Sequence, residues 1–219
     1  MQLSLEALQL ADSSLPVGSF AFSSGLECLA KTGHLQSIQD FEFHLENIIE
    51  FIQHFDIPFI NSFYREKEMI AAWREYHLHQ RIPSLRDASL IQGRAWIRLS
   101  QTLYYDISEK LRKFIEIEQV KPYYLPTLCF ILKCRQWPIE KVIDFYLYGS
   151  LRDQVSAAVR MGLLMPAQSQ KILFNTLEKW KQFYAINLKL SFSDAHRSNP
   201  VLEVAQMAHT ELYSKQFKT

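Results

Sequence analysis

Ala21-Phe22-Ser23-Ser24-Gly25 fits an A-x-S-x-G variant of the turn that exposes a nucleophilic serine for acyl transfer. That chemistry needs a strand before the serine and a helix after it, to lift the hydroxyl out of a sheet. Here Pro16 and Gly18 precede the serine and no strand pattern does. A helical hydrolase or lyase pairing Ser23 with a histidine therefore lacks its frame and its oxyanion donors. The same stretch, SSLPVGSFAFSSGLE from Ser13 to Glu27, holds Gly18 and Gly25, two of only six glycines in the chain. It contains neither GxxxxGK[ST] nor GxGxxG, whose backbone amides cradle phosphates, and neither pattern occurs elsewhere.

Metal chemistry is no better supplied. His77 and His79 form an H-x-H pair before Arg81 and Pro83, but on a helix the two rings point different ways. Cys129 and Cys134 stand five apart, a spacing that does not share a helix face. With Cys28 they make three cysteines, an odd number without a disulfide framework, as expected of reduced thiols in a cytoplasmic protein. His34, His44, His54 and His196 are isolated in sequence. No metal site and no cofactor is expected. Arg160 is more informative, being the one charge in the apolar, small-residue run VSAAVRMGLL. A buried, unpaired guanidinium is very costly, so Arg160 lies either at the edge of its helix face or within a hydrogen-bond network.

The elements that must position these residues read as helical nearly throughout. In SIQDFEFHLENIIEFIQHF, Ile38, Phe41, Leu45, Ile48, Ile52 and Phe55 recur at three- and four-residue steps and make one apolar face. Ser37 is its expected N-cap, with Asp40 as capping-box partner, and Pro58 is expected to end or restart the helix. Further helices are expected over 57–80, from near Ser84 to 117, and over 125–137, 138–164 and 165–190. Gly93, inside the long helix, marks a close helix–helix approach. A polar connector, SFSDAHRSNP, leads to a last amphipathic segment with a basic end. The segment YYLPTLCFIL could be read as a strand, but one strand has no partner. The expected fold is all-α, a single-domain bundle of about eight to ten helices.

Composition bounds the function. Lys+Arg number 24 against Asp+Glu 23 in 219 residues, a net charge of +1 that argues against a nucleic-acid-binding protein. No run approaches the roughly 20 apolar residues of a membrane span. MQLSLEALQLADSS lacks the basic start of a signal peptide and carries Glu6 and Asp12. Phe145, Tyr146 and Tyr148 form an aromatic run suited to a core or to the centre of an interface.

Three blocks, in order, resemble the UreF family of urease accessory proteins. LQLADSSLPVGSFAFSSGLE, residues 8–27, is similar to the family's N-terminal signature, with Leu15, Pro16, Gly18, Phe20, Ser23, Gly25, Leu26 and Glu27 where that pattern puts them. FYLYGSLRDQVSAAVRMGLLMPAQSQKIL, residues 145–173, resembles its V-S-A-A-V-R helix and following turn. His209 to Phe217 resembles its C-terminal H-x-x-L-Y-x-x-x-F. The chain departs from the pattern at Pro166-Ala167, at Leu128-Cys129, and at the tail, where Lys215 and Lys218 replace arginines and lack the planar guanidinium fork.

The resemblance implies a non-enzymatic, dimeric, all-α helper in nickel insertion. It implies that the chain bridges UreD (also called UreH) to the nickel-carrying GTPase UreG and docks on apo-urease. On this reading residues 1–198 form the core, and 199–219 form a partner-binding tail that meets UreD/UreH through His209, Leu212, Tyr213, Lys215 and Phe217. The alternative for that tail is a final helix packed on its own core. Pro16, Gly18, Phe20, Ser23, Gly25 and Glu27 form a partner or channel surface, or else a tightly packed helix connection. Tyr148, Gln154, Ser156 and Arg160 are expected at a dimer interface or polar seam. The rival classes are a generic helical scaffold with other partners and the serine-dependent enzyme already weighed.

Overall fold

The computed structural model describes residues 5–18, 22–183, 186–197 and 199–218. Among them are no strands and eleven α-helical segments: α1 (Leu5–Leu10), α2 (Leu26–Lys31), α3 (Ile38–Phe51), α4 (Ile57–Tyr64), α5 (Met69–Leu78), α6 (Pro83–Leu103), α7 (Tyr105–Glu118), α8 (Tyr124–Cys134), α9 (Ile139–Arg160), α10 (Pro166–Phe183) and α11 (Pro200–Ala208). A π-helical turn, Ile52–Asp56, joins α3 and α4 into one continuous rod, so the all-α expectation and its helix count both hold.

The rod starts as the sequence predicts. Ser37 Oγ accepts from Asp40 N at 3.1 Å, and Asp40 Oδ2 accepts from Ser37 N at 2.8 Å. Phe41, Leu45, Ile48, Ile52 and Phe55 are buried, whereas Ile38 at the open end is exposed. Pro58 restarts the α-helix as expected, standing in the first turn of α4, but the rod itself continues through the π turn. Proline offers no N–H to the carbonyl four residues back. The π turn absorbs that defect, and His196 N donates to the His54 carbonyl at 3.0 Å.

Two helices expected as single rods are broken. The chain turns at Arg65–Glu68, where Arg65 adopts an extended ψ of 119°. Its guanidinium instead caps the segment that follows α10, reaching the Leu188 carbonyl at 2.7 Å. The second break is at Tyr104, whose hydroxyl donates to Glu6 Oε1 at 2.8 Å. Glu6 also accepts from Arg135 Nε at 2.8 Å and Trp137 Nε1 at 3.0 Å, which ties α1 to the body.

At the centre lies α8, the segment with strand-like apolar content. It packs on α4, α6, α7 and α9, and Leu125, Leu128, Cys129, Ile131 and Leu132 are fully buried. A helix apolar on all sides belongs inside. Gly93 is where α6 meets the chain entering α8: a Cβ there would lie 1.9 Å from the Pro122 carbonyl oxygen. In this frame α9 and α10 pack together, α10 also lies on α3, and α11 closes over α2.

Candidate functional site

The N-terminal signature is a chain of tight turns. Asp12 Oδ1 accepts from Ser14 N and Ser14 Oγ, both at 2.7 Å, and the Arg152 guanidinium holds the Ala11 carbonyl. Pro16 is exposed, Val17 is buried and Gly18 is half-buried. Phe20 lies outside the described residues. The turn into α2 runs through Ser24 at φ 52° and Gly25 at φ 95°, both in the left-handed region. A side chain at Gly25 would meet Gln206 Cγ at 2.9 Å, so this glycine is required by α11 as well as by its own backbone. At Gly18, with φ 76°, an added Cβ would meet nothing within 4 Å, and only the backbone conformation asks for glycine.

The turn delivers Glu27 into the interior at the start of α2, where it is 1% exposed. There it gathers the C-terminal segment. His209 Nε2 lies 3.1 Å from Oε2, Phe217 N donates to Oε2 at 3.2 Å, and Gln216 N donates to Oε1 at 2.9 Å. Lys31 Nζ, one turn on, donates to Oε1 at 2.8 Å and also reaches the Ser214 carbonyl. Burial pushes the Glu27 carboxyl up, but the hydrogen bonds from Lys31, Gln216, His209 and Phe217 outweigh it and hold the group at about 2. Thus Glu27, His209 and Phe217, predicted separately, form one clasp. Leu212 is half-buried, and Tyr213 and Lys215 project from the loop that the clasp secures.

Arg160 is settled as an edge residue. It is exposed at the last position of α9, and its guanidinium covers the Phe217 ring at 4.5 Å from the centroid. Tyr148, Ser156 and Arg160 share a groove of about 400 Å³ between α9 and α10, together with Arg152, Gln170 and Leu173. Gln154 faces the other way. It is 5% exposed, its Oε1 is 2.9 Å from His44 Nε2, and its amide donates to the Ser23 carbonyl at 3.2 Å. Gln206 likewise donates to the Ser24 carbonyl at 3.2 Å. These amides fasten the signature turn to α9 and α11. Ser23 is wholly buried in that junction.

His77 and His79 diverge as expected. His77 Nδ1 is 2.7 Å from the Tyr123 hydroxyl, while the His79 ring sits edge-on to Phe55 and Phe59. Among the described residues no group of three or more His, Cys, Asp or Glu side chains is placed to hold a metal, and no helix is long and apolar enough to cross a membrane.

The UreF family pattern matches residues 39–177, more than half of the chain. The chain belongs to the UreF family. It is 27% identical to urease accessory protein F of Arabidopsis thaliana, across 95% of this chain and 90% of that protein. It is 25% identical to the UreF of Trichodesmium erythraeum, over 97% and 95% of the two chains, and 26% identical to that of Citrobacter koseri, over 98% and 97%. Urease accessory proteins are maturation factors, so UreF membership places this chain among proteins that act through protein partners. The clasp joins two segments outside the span matched to the UreF pattern, residues 8–27 and 209–217.

Sequence reasoning missed the residues that make these sites cohere. Lys31, at i+4 from Glu27 on α2, was a readable signal. Gln206 and His44 were not, because their partners come from distant elements.

Proposed function

We propose that this chain is a non-enzymatic helper in nickel insertion into urease, bridging UreD/UreH and the GTPase UreG on apo-urease. The carrying observation is the Glu27 clasp, which fixes the base of the C-terminal segment while Tyr213 stands fully exposed at its tip. Residues 199–219 act as the tail that meets UreD/UreH. His209 and Phe217 serve as its buried anchors, and Leu212, Tyr213 and Lys215 as its contact face. Val201, Val204 and Met207, exposed on α11, extend that face with apolar surface of the kind found at interface centres.

The α9–α10 groove is the proposed homodimer face, with Tyr148, Ser156 and Arg160 on it. Gln154, behind it, positions the signature turn. The turn's exposed Pro16 and half-buried Gly18 face the partner, while Ser23 and Gly25 hold it in place. The setting is the cytoplasm.

The test is binding of UreD/UreH to the full chain and to a chain ending at residue 199. The full chain should bind, and the shortened one should stay helical and lose the complex. Equal affinity for both would overturn the assignment of the tail.

A further inference from the structure

The π turn carries Asp56 into the interior, where it is 3% exposed. π turns interrupt the helical register at a cost and recur at functional sites. An acid at such a position is itself costly. Asp56 takes part in none of the ion pairs of the described residues. Its Oδ2 accepts one hydrogen bond, from the Tyr146 hydroxyl at 3.1 Å. Burial pushes its carboxyl up to about 7, against the Tyr146 hydrogen bond and the charge of Arg197.

Asp56 lines a half-open cavity of about 210 Å³ between α3–α4, α6, α9 and α11. Of the other charges on its wall, Asp153 pairs with Arg152 at 2.7 Å, and Arg197 pairs with Glu203 at 3.2 Å and the His79 carbonyl at 2.7 Å, which leaves its buried Nε as a donor without a partner. Neutral groups dominate the rest, including the amides of Gln80 and Gln92, the Ser150 hydroxyl, and the rings of Phe22 and Tyr124. Gly149, in the middle of α9, also lines it, and a Cβ there would meet nothing within 4 Å. No packing contact demands glycine at this helix position, which costs roughly 1 kcal/mol against alanine. Its missing side chain leaves the cavity room.

We infer that this cavity is a binding site for a small, uncharged, planar molecule of the carboxamide class, hydrogen-bonded to Asp56. An anion meets an acid that has no cation paired with it. A cation meets Arg197 on the same wall, and an acid whose ionised form burial disfavours. A carboxamide offers a donor and an acceptor to Asp56 and the glutamines, and a flat face to the aromatic rings. The site is separate from the clasp and the α9–α10 groove, and does not rest on the assembly proposed above.

The test is titration of the isotopically labelled full chain with acetamide, followed by amide and side-chain NMR shifts. Acetate and guanidinium serve as charged controls of similar size. Saturable shifts at Gln80, Gln92 and the π turn are expected with acetamide, with binding at least about tenfold weaker for either control. Gly149→Leu, which fills the space on a helix that tolerates it, should abolish saturation while leaving the spectrum folded. Asp56→Ala should weaken binding about tenfold. Linear shifts without saturation, equal binding of the charged controls, or undiminished binding in Gly149→Leu would each overturn the inference.

Discussion

Replacing Glu27 by alanine should free the C-terminal segment without unfolding the bundle. The carboxylate is 1% exposed and accepts from Lys31, His209, Gln216 and Phe217 at 2.8, 3.1, 2.9 and 3.2 Å. Hydrogen bonds to a charged group contribute about 1.5–3 kcal/mol each and are not additive when they share an acceptor. The loss is capped because the segment can detach and let water satisfy its amides. A loss of about 3 kcal/mol in the closed state raises the open population roughly a hundredfold. Hydrogen exchange should therefore show protection at the Gln216 and Phe217 amides collapsing in Glu27→Ala, with α6, α8 and α9 unchanged. Acid should mimic the variant. A carboxyl held at about 2 contributes stability that is fully present above its ordinary value of 4.5 and is lost as pH falls toward 2. Wild-type tail docking should weaken across that window, and Glu27→Gln should show no such dependence. Unchanged protection of both amides in Glu27→Ala would refute the clasp.

Gly93→Ala should destabilise by more than about 3 kcal/mol, because its Cβ would stand 1.9 Å from the Pro122 oxygen and 2.8 Å from the Pro122 carbonyl carbon, both backbone atoms. Thermal unfolding should shift down by at least about 6 °C. Asp56 has the opposite pH sign to Glu27. With its folded value raised to about 7 from 3.8, its stabilising contribution is present below 3.8 and is lost as pH rises to 7. Asp56→Asn should flatten that decline and gain at most about 4 kcal/mol at pH 8, read by denaturant unfolding. Gly25→Ala should disturb both the turn and α11, whereas Gly18→Ala carries only backbone strain of about 1–2 kcal/mol, so far-UV and exchange data should separate the two.

What the sequence disclosed was local. The Ser37–Asp40 capping box, the apolar face of α3 and the close approach at Gly93 each follow from residues a few positions apart or from one side chain's absence. The breaks at Arg65 and Tyr104 did not show, because both depend on remote partners: the carbonyls of 188–190 for Arg65, and Glu6 for Tyr104. The π turn was hidden for a related reason. Pro58 announced a missing donor, but not that His196 would supply one to the His54 carbonyl. Resemblance pointed to both ends of the chain as functional, yet no periodicity could say that Glu27 and His209, 182 positions apart, share a hydrogen bond. Gln154 shows the opposite failure. Its neighbours Ser156 and Arg160 face the groove, but its own step around α9 turns it inward to His44.

The bridging role is tested most directly by co-purifying this chain with UreD/UreH and UreG, with light scattering to weigh the product. The account predicts a defined complex holding paired copies of this chain and of UreD/UreH, which takes up UreG in the presence of GTP. It also predicts that Tyr213→Ala with Lys215→Glu weakens the complex while the fold stays intact. A chain that remains alone, folded and helical beside both partners would contradict it.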